Sequence, residues 1–197
     1  MKKENISPNV LMLTKLSVLL AIIILMGFTP IGYLRLGTAI EITLITIPVI
    51  IGAIDMGPKA GTFLGFAFGL TSFLQCVLGT SAFGVMLLSI SPLYCILVTI
   101  PTRTLMGFLT GLLGKALKPN IISYAITGLC GSLLNTLLFM TTLMLCYYNT
   151  DYIRGIAESL GSTNIFTFLL AFVGINGLVE AVTCTALSAI ITKALKR

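Results

Sequence analysis

"GPKAGTFLGFAFG", residues 57–69, sets glycine at positions 57, 61, 65 and 69. A four-residue spacing keeps Gly57, Gly61, Gly65 and Gly69 on one side of an α-helix, which turns once every 3.6 residues. A helix with bare backbone along one side can approach a neighbour closely. That is how helices associate in lipid, where burying apolar side chains gives no drive. The stretch therefore predicts a helix packed inside a membrane bundle. Gly107 and Gly111 repeat the spacing, as do Gly128 and Ser132. Ser17 and Ala21 form a weaker pair near the start.

The whole chain supports a lipid setting. Of 197 residues, 57% are hydrophobic and 9% charged, against about 25% charged in a soluble domain. Apolar stretches fall near 10–29, 40–56, 60–78, 85–114, 121–148 and 165–192. A span needs about 20 apolar residues, so this length holds six helices with short loops in a single domain, 1–197. The fourth stretch is too long for one straight span. Pro92 and Pro101 predict a break there, with a loop or partial helix over 79–96 and the span near 97–116. The start, "MKKENISPNVLMLTKLSVLL", has no small-residue cleavage pattern close behind its apolar run, so a retained first helix is expected.

Composition also removes chemistry. No histidine occurs, which takes away the commonest general base and metal ligand. No phosphate-cradling glycine–lysine loop occurs, so ATP-driven work needs a partner. Cys76, Cys95, Cys130, Cys146 and Cys184 are scattered without a CxxC pair and read as reduced interior residues. No cofactor or metal site is expected.

Basic residues set orientation. With six spans, Lys2, Lys3, Lys15, Lys59, Lys115, Lys118, Lys193, Lys196 and Arg197 fall on one side, which is expected to be the cytoplasm, with both termini. Only Arg35 and Arg154 fall in the opposite loops, and Arg103 alone lies within a span. The net charge of +6 thus marks topology in a cell membrane rather than nucleic-acid binding.

Polar residues inside spans are few and expensive, about 2.5–3.5 kcal/mol for a charge at mid-helix. Arg103 lies in "IPTRTLMGFLTGLLGK" (100–115), and Asn135 in "GSLLNTLLFM". Asn176 and Glu180 stand four apart in "INGLVEAVTC", on one helix face. Glu41 is placed at the start of the second helix and Gln75 at the end of the third. Counted along alternating spans, all lie at one level toward the outside, where Tyr33 and the loop "TPIGYLRLG" could cover them. Two readings stay open: the groups satisfy one another, with Arg103 paired to Glu180 or Glu41, or they line an outward pocket for a polar small molecule. Glu180 could also serve an intramembrane enzyme, and a ligand-free scaffold is a third class.

"IPVIIGAIDMGPKAGTFLGFAFGLTSF" followed by "IPTRTLMGFLTGLLGKAL" resembles the substrate-binding S components of energy-coupling factor vitamin transporters. "LLNTLLF" and "INGLVEA" resemble their fifth and sixth helices, and the likeness runs over roughly 10–195. It implies an all-α bundle of six transmembrane helices with an outward-facing ligand pocket. It implies a non-catalytic subunit that works with a transmembrane coupling subunit and two ATPases. By the same resemblance Asn135 and Asn176 contact ligand, Glu180 follows as a pocket residue, and Ser17 and Ala21 form the small face for the coupling subunit. Thr102 departs from the family's adjacent Pro-Arg, and Ser17 from its usual alanine. "GFAFGLTSF" is most similar to the pantothenate-type branch. Riboflavin or another small vitamin is the alternative; riboflavin would want more stacking rings than Tyr33, Phe73, Phe83 and Tyr94 offer.

Overall fold

The computed structural model describes residues 7–29, 32–36, 40–159, 161 and 164–195, without the side chains of 33–36, 40–42, 165, 166, 168–172, 175 and 176. Lys2, Lys3, Lys196 and Arg197 lie outside the described residues. The elements run α1 (Pro8–Gly27), β1 (Tyr33–Leu36), β2 (Ile40–Thr43), α2 (Thr46–Met56), α3 (Pro58–Val77), α4 (Ala82–Ile90), α5 (Pro92–Ala116), α6 (Ile121–Tyr147), α7 (Asp151–Ser159) and α8 (Ile165–Leu195). Among the described residues five helices are long and apolar enough to cross a membrane: α1, α3, α5, α6 and the part of α8 from Gly177 to Leu195. Their outward faces are apolar, with Leu93, Ile122, Leu137, Leu145 and Leu178 each more than 60% exposed. Such a surface suits lipid and not water.

The glycine face of α3 lies against α5. A β-carbon added to Gly61 would overlap the Gly107 carbonyl, and one on Gly107 would overlap that of Gly61. One on Gly65 would overlap the Arg103 carbonyl, and one on Gly69 would sit 2.8 Å from Ile100 Cα. Gly111 meets Pro58 in the same way. The two backbones touch over three helical turns. Gly128 of α6 repeats the arrangement against Ser188 and Cys184 of α8. Gly57, at φ 86°, alone links α2 to α3, a left-handed conformation that suits glycine.

Three expectations change. Residues 40–56 are not one helix. Ile40–Thr43 pairs antiparallel with Tyr33–Leu36, Arg35 opposite Glu41, and the helix starts only at Thr46, so Glu41 stands in a strand. The β-branched residues Ile40, Ile42 and Thr43 favour extended backbone, and Pro48 is tolerated in a first helical turn. The 11-residue α2 rises about 16 Å at 1.5 Å per residue, short of a span. It is buried from Thr46 to Ile54, walled off from lipid by its neighbours.

Second, α5 runs unbroken from Pro92, with Pro101 inside it. Pro92 opens the helix, where its missing N–H costs nothing, and Ser91 caps it through the Tyr94 amide. Pro101 brings no N–H to the carbonyl one turn back, and nearby side chains turn onto that region. The Thr102 hydroxyl donates to the Val98 carbonyl (2.6 Å) and the Thr99 hydroxyl to that of Cys95 (2.7 Å). Of the 79–96 region, Ala82–Ile90 forms the short α4.

Third, the last apolar stretch bends. Gly174 (φ 29°, ψ −128°) interrupts the helical backbone of α8. The segment before it also gains an unforeseen helix, α7, whose Ile153, Ile156 and Ala157 pack on the bundle at the i, i+3, i+4 spacing of an amphipathic helix.

The described lysines gather at one end. Gly111 against Pro58 and Gly114 against Ile54 bring the α5–α6 turn, with Lys115 and Lys118, beside Lys59. The hairpin, α4 and α7 occupy the other end, where Phe83 meets Tyr152 at 6.1 Å.

Gly61→Leu or Gly107→Leu is expected to lower the melting temperature in detergent sharply. Overpacking costs about 1–3 kcal/mol even where only side chains must yield. Gly155→Ala, with open space around it, is expected to leave the melt unchanged.

Candidate functional site

Two of the polar residues singled out in the sequence meet directly. Asn135 Nδ2 on α6 donates to Glu180 Oε1 on α8 at 3.3 Å. Both side chains are under 10% exposed. Their helices are held together by the close approach at Gly128, two turns away. Ser132, three residues before Asn135 and so on the same face, borders the carboxylate, as does the backbone of Thr43 at the end of β2. Thr46 continues this wall, its hydroxyl 3.3 Å from Cys184 Sγ. Among the described residues Asn135 Oδ1 is buried and accepts no hydrogen bond.

Arg103 approaches from α5. Helical side chains lean toward the N-terminus of their helix, and the Arg103 guanidinium does so. Nη1 donates to the Val98 carbonyl at 2.7 Å, to the Thr99 carbonyl at 3.3 Å and to the Thr102 hydroxyl at 3.2 Å. The guanidinium carbon lies 5.1 Å from the ring centres of both Phe68 on α3 and Phe139 on α6, within cation–π range. The Arg103 charge also acts on Glu180. The arginine thus joins α3, α5 and α6 around Pro101.

The remaining candidates are dispersed. Gln75 is buried, and its Nε2 donates to the Gly27 carbonyl, tying α3 to the end of α1. The backbones of Tyr33 and Glu41 lie in the hairpin. The side chains of Tyr33, Glu41 and Asn176 lie outside the described residues. Asn176 follows the Gly174 bend by two positions. Phe83 packs tilted against Tyr152, and Tyr94 packs edge-on to Tyr147, at the end of the bundle. Tyr147 is fully buried, with its hydroxyl 2.9 Å from the Leu87 carbonyl and 3.0 Å from that of Ser91.

Ser17 and Ala21 are exposed on α1, away from the core. Sequence reading missed the contact on the opposite side of that helix: Lys15 Nζ stands 2.7 Å from Asp55 Oδ2. Asp55 carried a signal, being an acid near the end of an apolar run, but its partner lies 40 residues away. Phe68 and Phe139 were also missed; nothing in an apolar helix marks which ring will face a cation. Among the described residues no cluster of three or more Cys, Asp or Glu could hold a metal.

Known proteins fit this architecture. ThiT from Listeria monocytogenes superposes with a TM-score of 0.68 at 18% identity, covering 95% of this chain and 96% of that one. The pantothenic acid transporter PanT of Lactococcus lactis subsp. cremoris (strain MG1363) is 26% identical over 155 residues, 72% of this chain and 77% of the relative. The family described as "ECF transporter, substrate-specific component" matches residues 11–192. With a match that runs from the second turn of α1 to the last turn of α8, the chain belongs to the substrate-specific S components of energy-coupling factor transporters, multi-pass membrane subunits that bind a substrate and are not enzymes.

Proposed function

We propose that the chain binds pantothenate from outside the cell and delivers it through a coupling subunit and two ATPases. The observation that carries the location of the pocket is the buried Asn135–Glu180 pair, with an acceptor oxygen on Asn135 that has no partner among the described residues. An uncommitted polar atom in a membrane interior is costly, and a ligand donor would satisfy it. The likeness to PanT supports the choice of vitamin. Pantothenate carries one carboxylate, two hydroxyls and an amide, which suits one arginine with amide and carboxyl side chains.

In this reading Arg103 receives the ligand carboxylate while its Nη1 braces the helix at Pro101. Asn135, Asn176 and Glu180 receive the hydroxyls and amide. Glu41, Gln75 and Tyr33 stand at the rim, with the hairpin as cover. The six apolar stretches form a six-helix bundle in the membrane, α2 with β2 standing for the second, and both termini are cytoplasmic. Ser17 and Ala21, exposed on α1, meet the coupling subunit.

Titration with pantothenate is expected to show binding to the wild type. Arg103→Gln should weaken it about 10- to 150-fold, the effect of losing a charge-assisted hydrogen bond of about 1.5–3 kcal/mol, and Asn176→Ala about 2- to 13-fold, the effect of losing a neutral one of about 0.5–1.5 kcal/mol. The neutral alcohol analogue should bind worse than the acid to the wild type and lose little more in Arg103→Gln. Equal losses for acid and alcohol, with a lowered melting point, would make Arg103 a brace only. Absence of pantothenate binding would sink the choice of vitamin, and an unchanged Asn176→Ala would sink the position of the pocket.

The orientation is tested separately. With the native cysteines replaced, a membrane-impermeant maleimide applied to cells should label cysteine at 35 or 154 and spare one at 118. Labelling at 118 would overturn the assignment of the lysine end to the cytoplasm.

A further inference from the structure

Helix α1 is held weakly by packing. Ile23 and Gly27 are its buried residues, and Leu16, Leu19, Leu20 and Met26 only partly enter the core. At one end Gly27 is fastened by Gln75 and abuts Thr71. Toward the other end the fastening is ionic: Lys15 to Asp55 of α2 at 2.7 Å, with the lysine side chain 31% exposed and the aspartate 8%.

An ion pair this buried is a poor source of stability. Taking the aspartate charge out of water costs several kcal/mol, which a partly exposed lysine offsets only in part, and apolar residues of similar size often do as well. The best-attested use of such pairs is to fix register. At 100° per residue, Ser17 lies about 200° and Ala21 about 240° round the helix from Lys15. Anchoring Lys15 inward therefore turns Ser17 and Ala21 outward. Leucines on the inner side would tolerate a rotated α1; a lysine whose one acidic partner among the described residues is Asp55 would not.

We infer that Lys15 and Asp55 form a latch that fixes the rotation of α1 and so presents its small-residue face to the coupling subunit. The inference rests on the reading of Ser17 and Ala21 as partner-facing. Both residues of the latch are positioning residues and touch neither vitamin nor partner.

The test uses the tagged full-length chain co-expressed with its coupling subunit and ATPases. Co-purification of the coupling subunit, pantothenate uptake, pantothenate binding by the isolated chain and its melting point are read together. Lys15→Met and Asp55→Asn are expected to reduce capture and uptake about tenfold with binding unchanged. Lys15→Arg, which keeps the cation, should retain both. The neutral pair Lys15→Met with Asp55→Leu guards against mere misfolding: it should melt like the wild type, bind pantothenate normally and still capture poorly. Full capture by the neutral pair would overturn the latch. So would losses of capture, binding and melting point in step across all variants. A wild-type chain that captures no coupling subunit would overturn the partner-facing reading, and the latch with it.

Discussion

The direct contact between the α3 and α5 backbones is the constraint on which the rest depends. Gly61 and Gly107 each occupy the space where the other's β-carbon would be. In lipid there is no hydrophobic reward for pressing helices together, so van der Waals contact between bare backbones has to supply the attraction. That contact sets the axial position of α5 against α3. It thereby places Arg103 beside Phe68, because the same interface runs through the Arg103 carbonyl at Gly65. Move α5 by one turn and the guanidinium leaves both rings.

The site is assembled from two such close approaches. One brings Arg103 in on α5. The other, Gly128 against Ser188 and Cys184, brings α6 to α8 and lets Asn135 reach Glu180. The polar groups are thus carried on rigid elements, where preorganised geometry is easiest to keep. The backbone of Thr43, at the end of β2, borders the Glu180 carboxylate. The cation and the carboxylate stand on different helices, Arg103 on α5 and Glu180 on α8.

The glycine spacing was legible because it states a geometric fact about one helix, and a bare face has few uses in lipid. That Arg103, Asn135 and Glu180 stand inside long helices was legible from the apolar runs around them. What escaped reading had physical causes. The run from Ile40 to Ile54 is mostly apolar, and the alternation Ile40-Glu41-Ile42-Thr43 is only four residues long; that short alternation and the β-branched residues were the hints of the hairpin. Pro101 was read as a break because the rule concerns the backbone alone, while Thr99, Thr102 and Arg103 reinforce the helix through their side chains. The Lys15–Asp55 pair joins residues far apart in sequence. The Gly174 bend gave no warning, since isolated glycines also occur in straight membrane helices such as α3.

The length of α2 has a consequence for how the bundle holds together. Eleven residues are too few to be held in a bilayer alone, and the helix ends in an acid. Yet it lies buried between its neighbours, joined to α3 by one glycine. Its apolar surroundings come from both halves of the chain, from α1 and α3 and equally from α5, α6 and α8, so the burial of α2 and of Asp55 is a property of the assembled bundle and not of any hairpin within it.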